Sequence, residues 1–138
     1  GAQQEPFAPT EQELQPRPAR ARDVATTQRA EANNARNAAA RYEASLAPLR
    51  TQVAAGRRLN DQQASTLAQA KAERDQIQAK LEAGQKASAE IRDQATNLKG
   101  KGQNTAALEA EGRDLAASNA RLQGALDRMN TALGRIDA

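Results

Sequence analysis

No cysteine, histidine or tryptophan occurs in this sequence, and phenylalanine, tyrosine and methionine occur once each. Without cysteine there is no disulfide framework and no thiol nucleophile, and the redox compartment is unreadable. Without histidine or cysteine the usual ligand sets for zinc, copper and haem are missing. Carboxylate-bridged metal bundles want Glu-x-x-His pairs, and the Asp and Glu residues here are scattered with no repeated metal-binding spacing. Aromatic side chains for stacking on bases are nearly absent. No apolar run approaches the roughly 20 residues that span a bilayer. We therefore expect no enzyme, no cofactor, no metal site and no small-molecule substrate, and nucleic acid is disfavoured as a partner.

Large apolar side chains are also scarce. Leu, Ile, Val, Phe, Met and Tyr together number 20 of 138 residues, and 12 of them are Leu. Alanine is abundant, at 33. Alanine has the best helix propensity, and Gln, Glu, Arg and Lys follow it. Helices should form readily. Packing between them should be weak, because an alanine buries only a methyl where a large apolar side chain contributes roughly 1.5–3 kcal/mol. The net charge is +3, with Arg outnumbering Lys 15 to 5. The Ala and Arg content suggests a GC-rich bacterial genome.

What is present is heptad spacing. Leu108, Leu115, Leu122, Met129 and Ile136 stand seven residues apart, and Gly112, Asn119, Leu126 and Leu133 follow the first four by four residues. That is a coiled-coil seam, the first set at d and the second at a. A second seam puts Leu67, Arg74, Leu81, Ser88 and Ala95 at a, and Ala70, Ile77, Gly84, Ile91 and Leu98 at d. A third puts Ala25, Ala32, Ala39, Leu46 and Val53 at a, and Gln28, Ala35, Tyr42, Leu49 and Gly56 at d. Its first half is almost all alanine. Arg74 should pack its stem and lift its head to water. Gly84 and Ser88 should make a thin waist. Asn119 is the kind of polar insertion that sets register or partner number.

Breaks between the seams give three helices over about 19–55, 61–98 and 105–136. Gly56 should end the first, and Asn60 with Gln63 should cap the second. Leu59 should pack back onto the new helix. Lys99-Gly-Lys-Gly-Gln-Asn104 should end the second, with Asn104 or Thr105 capping the third. Its Gly-x-Gly lacks the spacing of a phosphate-binding loop and a preceding strand. Pro48 lies inside the first helix, at a cost of about 3 kcal/mol in a helix interior. It predicts a kink near Ser45–Pro48 or, failing that, a break. Short connections favour antiparallel neighbours. The expected fold is an all-α, elongated, alanine-rich antiparallel three-helix bundle, up-down-up. The second and third helices should make its firmest pair.

Residues 1–18 are different material, a leader rich in Pro and Gln, with Phe7 and Leu14 as its large apolar residues. Thr10-Glu-Gln-Glu13 could cap one helical turn. The leader reads as a flexible tether ahead of the domain at 19–138, and docking of Phe7 and Leu14 onto the bundle is the other reading. Gly1-Ala2 reads as a processed start, so an export signal or lipid-anchor cysteine upstream would be out of view.

Arg22, Arg29, Arg36, Arg50 and Arg57 share heptad position e, with Glu43 interrupting. The whole charge excess falls within residues 23–58. Flank charges of this kind steer helix pairing, and the rival reading is an anionic surface or nucleic acid. The functional expectation is a structural or adaptor coiled coil that pairs with a protein partner or with itself. A tethered spacer or docking module of the bacterial cell envelope or periplasm fits best, with membrane tethering through an anchor upstream of residue 1. A cytoplasmic location is the alternative. In shape alone, the second and third helices are similar to the periplasmic hairpin of membrane-fusion proteins in efflux and secretion systems, which would make the chain part of a larger machine.

Overall fold

The computed structural model describes residues 16–137, with side chains over 21–136. Three helices fill it: α1 (Pro16–Ala54), α2 (Asp61–Gly100) and α3 (Ala106–Asp137). Their 39, 40 and 32 residues span about 58, 60 and 48 Å at 1.5 Å per residue. Each helix packs against the other two, so the all-α three-helix bundle is the fold.

The helix ends follow local chemistry. Gly56 adopts φ +75° and Gly102 φ +77°, a left-handed conformation that only glycine takes at little cost. At each, two backbone bonds close a Schellman motif. The Gly56 amide donates to the Val53 carbonyl (2.9 Å) and Arg57 to Gln52 (3.0 Å), while Gly102 donates to Lys99 and Gln103 to Leu98 (3.0 Å each). Asn60 and Gln63 form the reciprocal capping box at the start of α2 (2.8 and 2.9 Å). Gln52 ties that corner together. Its Nε2 donates to the Arg58 carbonyl at 2.7 Å and its Oε1 accepts from Gln63 at 2.8 Å. At the start of α3 the Ala106 amide donates to Asn104 Oδ1 (3.0 Å).

Two expectations need correction. First, α1 starts at Pro16 and not at about residue 19. The first-turn amides of a helix have no intrahelical acceptor, so both prolines fit there. The rest of the leader, including Phe7, Leu14 and the Thr10–Glu13 turn, lies outside the described residues. Second, α2 runs past Leu98 to Gly100. Only the second glycine of that loop, Gly102, terminates the helix, because only it takes the left-handed conformation. α1 and α3 approach most extensively, more than α2 and α3. The reason is size. Ala32, Ala35, Ala38 and Ala39 of α1 and Ser118, Ala125 and Ala132 of α3 are all buried, and small side chains let backbones come close. Close approach is not the same as strong packing, since apolar area sets the energy.

Pro48 does not break α1, which continues to Ala54. Pro48 itself is exposed, while Leu46 and Leu49 on either side are buried. The carbonyl it leaves without an intrahelical partner belongs to Ala44, an exposed residue that water can reach.

The core divides in two along the bundle axis. One cluster joins Leu46, Leu49, Ile77, Leu81, Leu122, Leu126, Met129, Leu133 and Ile136 with Ala32, Ala35, Ala39, Ala70, Ala125 and Ala132. Tyr42, Val53, Leu59 and Leu67 flank it. The other has Ile91, Leu108 and Leu115 with Ala21, Ala87 and Ala95, flanked by Val24, Ala25 and Leu98. The seams read from the sequence run through both. On α3 the buried face is wider than a and d, because Ser118, Ala125 and Ala132 are covered as well. A helix that touches two neighbours needs a broader buried stripe than one that pairs once.

Candidate functional site: a polar layer and the faces beside it

Between the two clusters each helix contributes one seam residue of another kind: Gln28 from α1, Gly84 from α2 and Asn119 from α3. Gln28 is 3 % exposed and Asn119 9 %. Gln28 Nε2 donates to Asn119 Oδ1 at 3.1 Å and to the backbone carbonyl of Lys80 at 2.9 Å. Within a helix the Lys80 carbonyl also serves the amide four residues on, that of Gly84, and a carbonyl has two lone pairs to offer. The missing side chain of Gly84 is what opens that carbonyl to Gln28. A Cβ placed on Gly84 would overlap both Asn119 Oδ1 and Gln28 Nε2.

The layer reaches the surface through an ion pair. Lys80 Nζ lies 2.5 Å from Glu31 Oε2, so α1 and α2 are joined twice at this level, once through a backbone carbonyl and once through charge. Glu31 Oε2 has no hydrogen-bond partner of good geometry, and the Lys80 ammonium is its compensation. Asn119 is therefore buried between the two core clusters, where it accepts a hydrogen bond from Gln28. The sequence pointed to Asn119 and to the waist at Gly84, but assigned Gln28 no role. A signal was available. Gln28 and Gly84 both lie 28 residues from Gly56, and Gly84 and Asn119 lie 18 and 17 residues from Gly102. Folding the chain at its two turn glycines superposes the three positions.

The arginine stripe does not persist as a unit. Arg22 Nε bonds Glu111 Oε2 on α3 at 3.0 Å. Arg29 lines a shallow depression with Thr26 and Ser118, beside the carboxylates Glu111 and Asp114. Arg36 is exposed and Arg50 half-buried. Arg57 lies beyond the end of α1, in the turn after Gly56, so the heptad extrapolation fails for it: the helix that would carry the stripe stops at Ala54. Glu43, the interruption, pairs with Arg128 of α3 through two bonds (3.1 and 2.5 Å). Those bonds, with the charges of Arg128 and Arg50, hold its carboxyl below the usual range. They hold the Arg128 guanidinium above its own. Lys99, bonded to Glu109 across the α2–α3 turn at 2.9 Å, likewise holds that carboxyl below the usual range.

The remaining seam arginine behaves as expected. Arg74 is half-buried and its Nε bonds Asp75 Oδ1 at 2.8 Å. Arg41 lies over the Tyr42 ring at 5.6 Å, within cation–π range. Among the described residues no three carboxylates converge on one metal position, and no helix is long and apolar enough to cross a membrane. No protein-family model, curated protein or solved structure matches the chain.

Proposed function

We propose that this protein is a non-enzymatic spacer or docking module, a stiff helical rod joined to a tether and working in the bacterial cell envelope. The observation that supports this most is the matching of three long helices by a single polar layer with a core on either side. Such an arrangement fixes length and axial register over nearly 60 Å with very little core. Cross-helix ion pairs at four levels, Arg22–Glu111, Glu31–Lys80, Glu43–Arg128 and Lys99–Glu109, add stiffness. Each of the first three is exposed enough to be worth only about 0–1 kcal/mol alone. The Pro/Gln-rich leader is the tether, and its composition suits an extended linker.

The envelope part rests on that leader and on the absence of other equipment in the sequence, and it is checked by fractionation. The native gene product, expressed from its own promoter, should sediment or be released with the envelope and not with cytosolic markers. A cytosolic product would remove this part and leave the rod. The rod part is checked by light scattering and small-angle scattering. A mass of one chain with a maximum dimension well beyond that of a sphere of the same mass is expected. A larger mass would move the seams into an assembly between chains.

The hairpin of a membrane-fusion protein has less support, because α1 packs along both α2 and α3 and the hairpin does not stand alone. Binding of an anionic surface through the arginine stripe has less as well, because Arg22 is bound to Glu111, Arg50 lies near the Glu43 carboxylate and Arg57 leaves the stripe.

A further inference from the structure

The α2–α3 face at the alanine-rich end carries an open groove of about 330 Å³. Its walls are the small residues Ser88 and Ala95 of α2 and Gly112 and Ala116 of α3, and Ile91 forms the floor. A Cβ on Gly112 would stand 3.3 Å from Ile91 Cγ2, so the floor is reached where side chains are missing. Three charged residues rim it. Glu109 is bound to Lys99. Arg92 and Arg113 are both exposed, and neither makes a direct ion pair among those the described residues form, although the charge of Arg113 also acts on Glu109. The groove is thus apolar inside, with two arginines and the Lys99-bound carboxylate of Glu109 at its edge.

Residues 1–15 have the complementary chemistry. They carry Glu5, Glu11 and Glu13 and no Lys or Arg, together with Phe7 and Leu14. They also begin at the right place. Pro16 lies 40 residues before Gly56, which puts it level with about Thr96 of α2, beside the end of the groove at Ala95. Leu14 is too near Pro16 to cross the bundle. Phe7 is nine residues away, and an extended chain of that length reaches about 30 Å, enough to pass round a bundle whose helices lie about 8–10 Å apart. We propose that the acidic amino-terminal segment of this chain folds back across the bundle and seats Phe7 in the α2–α3 groove, held by its carboxylates at Arg92 and Arg113. Phe7 then covers the thinnest part of the core with the largest apolar side chain the leader has. This stands whether or not the envelope reading does.

The chain has no Trp, so a Phe7→Trp variant reports on one position. At low protein concentration its indole emission should be shifted to shorter wavelength and shielded from acrylamide. Charge reversal at the rim, Arg92→Glu with Arg113→Glu, should return both to the values of an exposed indole and leave the helical circular dichroism unchanged. Raising the salt should act in the same direction. An indole that is solvent-exposed in the parent background overturns the proposal. So does a blue shift that survives the charge reversal, which would seat residue 7 elsewhere. A shift that grows with protein concentration also overturns it, since a second copy would then be the occupant.

Discussion

The two ends of this bundle are built to different standards. Around the α1–α2 turn the core contains nine buried Leu, Ile and Met side chains; around the α2–α3 turn it contains three, filled out with alanine. The helices are continuous through both. The difference shows that helix formation and helix packing are separable. Alanine supplies the first cheaply and contributes little to the second. The polar layer of Gln28, Gly84 and Asn119 marks the border. Stability should accordingly be graded along the axis, and native-state hydrogen exchange would show it. Amides of α1 near Val24 and α2 near Ala95 should exchange well before those near Leu46 and Ile77. Uniform protection would refute the gradient.

Substitutions sharpen the contrast. The largest loss should come from Leu46→Ala or Leu122→Ala, both fully buried at the leucine-rich end. About 2–5 kcal/mol is expected for a buried Leu, enough to lower the denaturation midpoint of the whole molecule. An Ala21→Gly change at the other end should cost about 1 kcal/mol, mostly helix propensity. Chemical denaturation of the set measures both.

Next comes the border itself. Gly84→Ala should destabilise by about 1–3 kcal/mol through overpacking, although alanine is the better helix former. Melting temperature is the readout, and a stabilised variant would mean that the layer does not close as described. Asn119→Leu alone should cost about 1–3 kcal/mol by removing one of the two acceptors of the buried Gln28 amide. Gln28→Leu combined with Asn119→Leu should recover most of that loss. The same double variant should lose uniqueness, seen as more than one mass by light scattering, because the one layer that distinguishes this alignment from its heptad-shifted neighbours is gone.

Charge gives a smaller effect. The Glu43 carboxyl titrates below its ordinary value of 4.5 because of Arg128. The pair's contribution is therefore complete above about that pH and is lost as the pH falls through the lower value in the folded protein. The pair is exposed, so the change should be no more than about 0.2–1 kcal/mol. Glu43→Gln should flatten that part of the pH–stability curve below the ordinary value of 4.5, read against the parent over the same range. The smallest change is a gain. At Gly124, mid-α3, an added Cβ would meet nothing within 4 Å, and Gly124→Ala should stabilise by up to about 1 kcal/mol through propensity alone. Against Gly84→Ala, the same substitution then has opposite signs at two helical glycines.

Most of the fold was legible because the signals that carry it are local. Leu108 to Ile136 repeats every seven residues, and every member of that set is buried. Asn60, Gln63 and Gly56 act over one turn of chain, and the boundaries they mark agree with the structure to within about one residue. The errors came where a local rule had two outcomes. Pro16 and Pro18 can precede a helix or begin one, and Gly100 can end a helix or sit in its last turn. The candidate site was legible only in part. Asn119 stood out against its leucine-rich neighbours, whereas Gln28 was one polar residue in a weak seam. The arginine stripe was drawn on a helix of unlimited length, and Arg57 falls where that helix has stopped.

By itself the sequence determined that there are three helices, roughly where each begins and ends, and which stripe of each is apolar. Those are properties of propensity, capping and periodicity, and they act within a few residues. The tertiary structure decided what meets what. It brought Gln28 to the Lys80 carbonyl over the bare backbone of Gly84. It set Arg22 against Glu111 and Glu43 against Arg128. It also left a groove where Gly112 and Ala116 face Ser88 and Ala95. Heptad positions repeat every seven residues and are equivalent to one another until an axial offset is chosen. That offset is fixed only when three chains of side chains and two turns are satisfied at once.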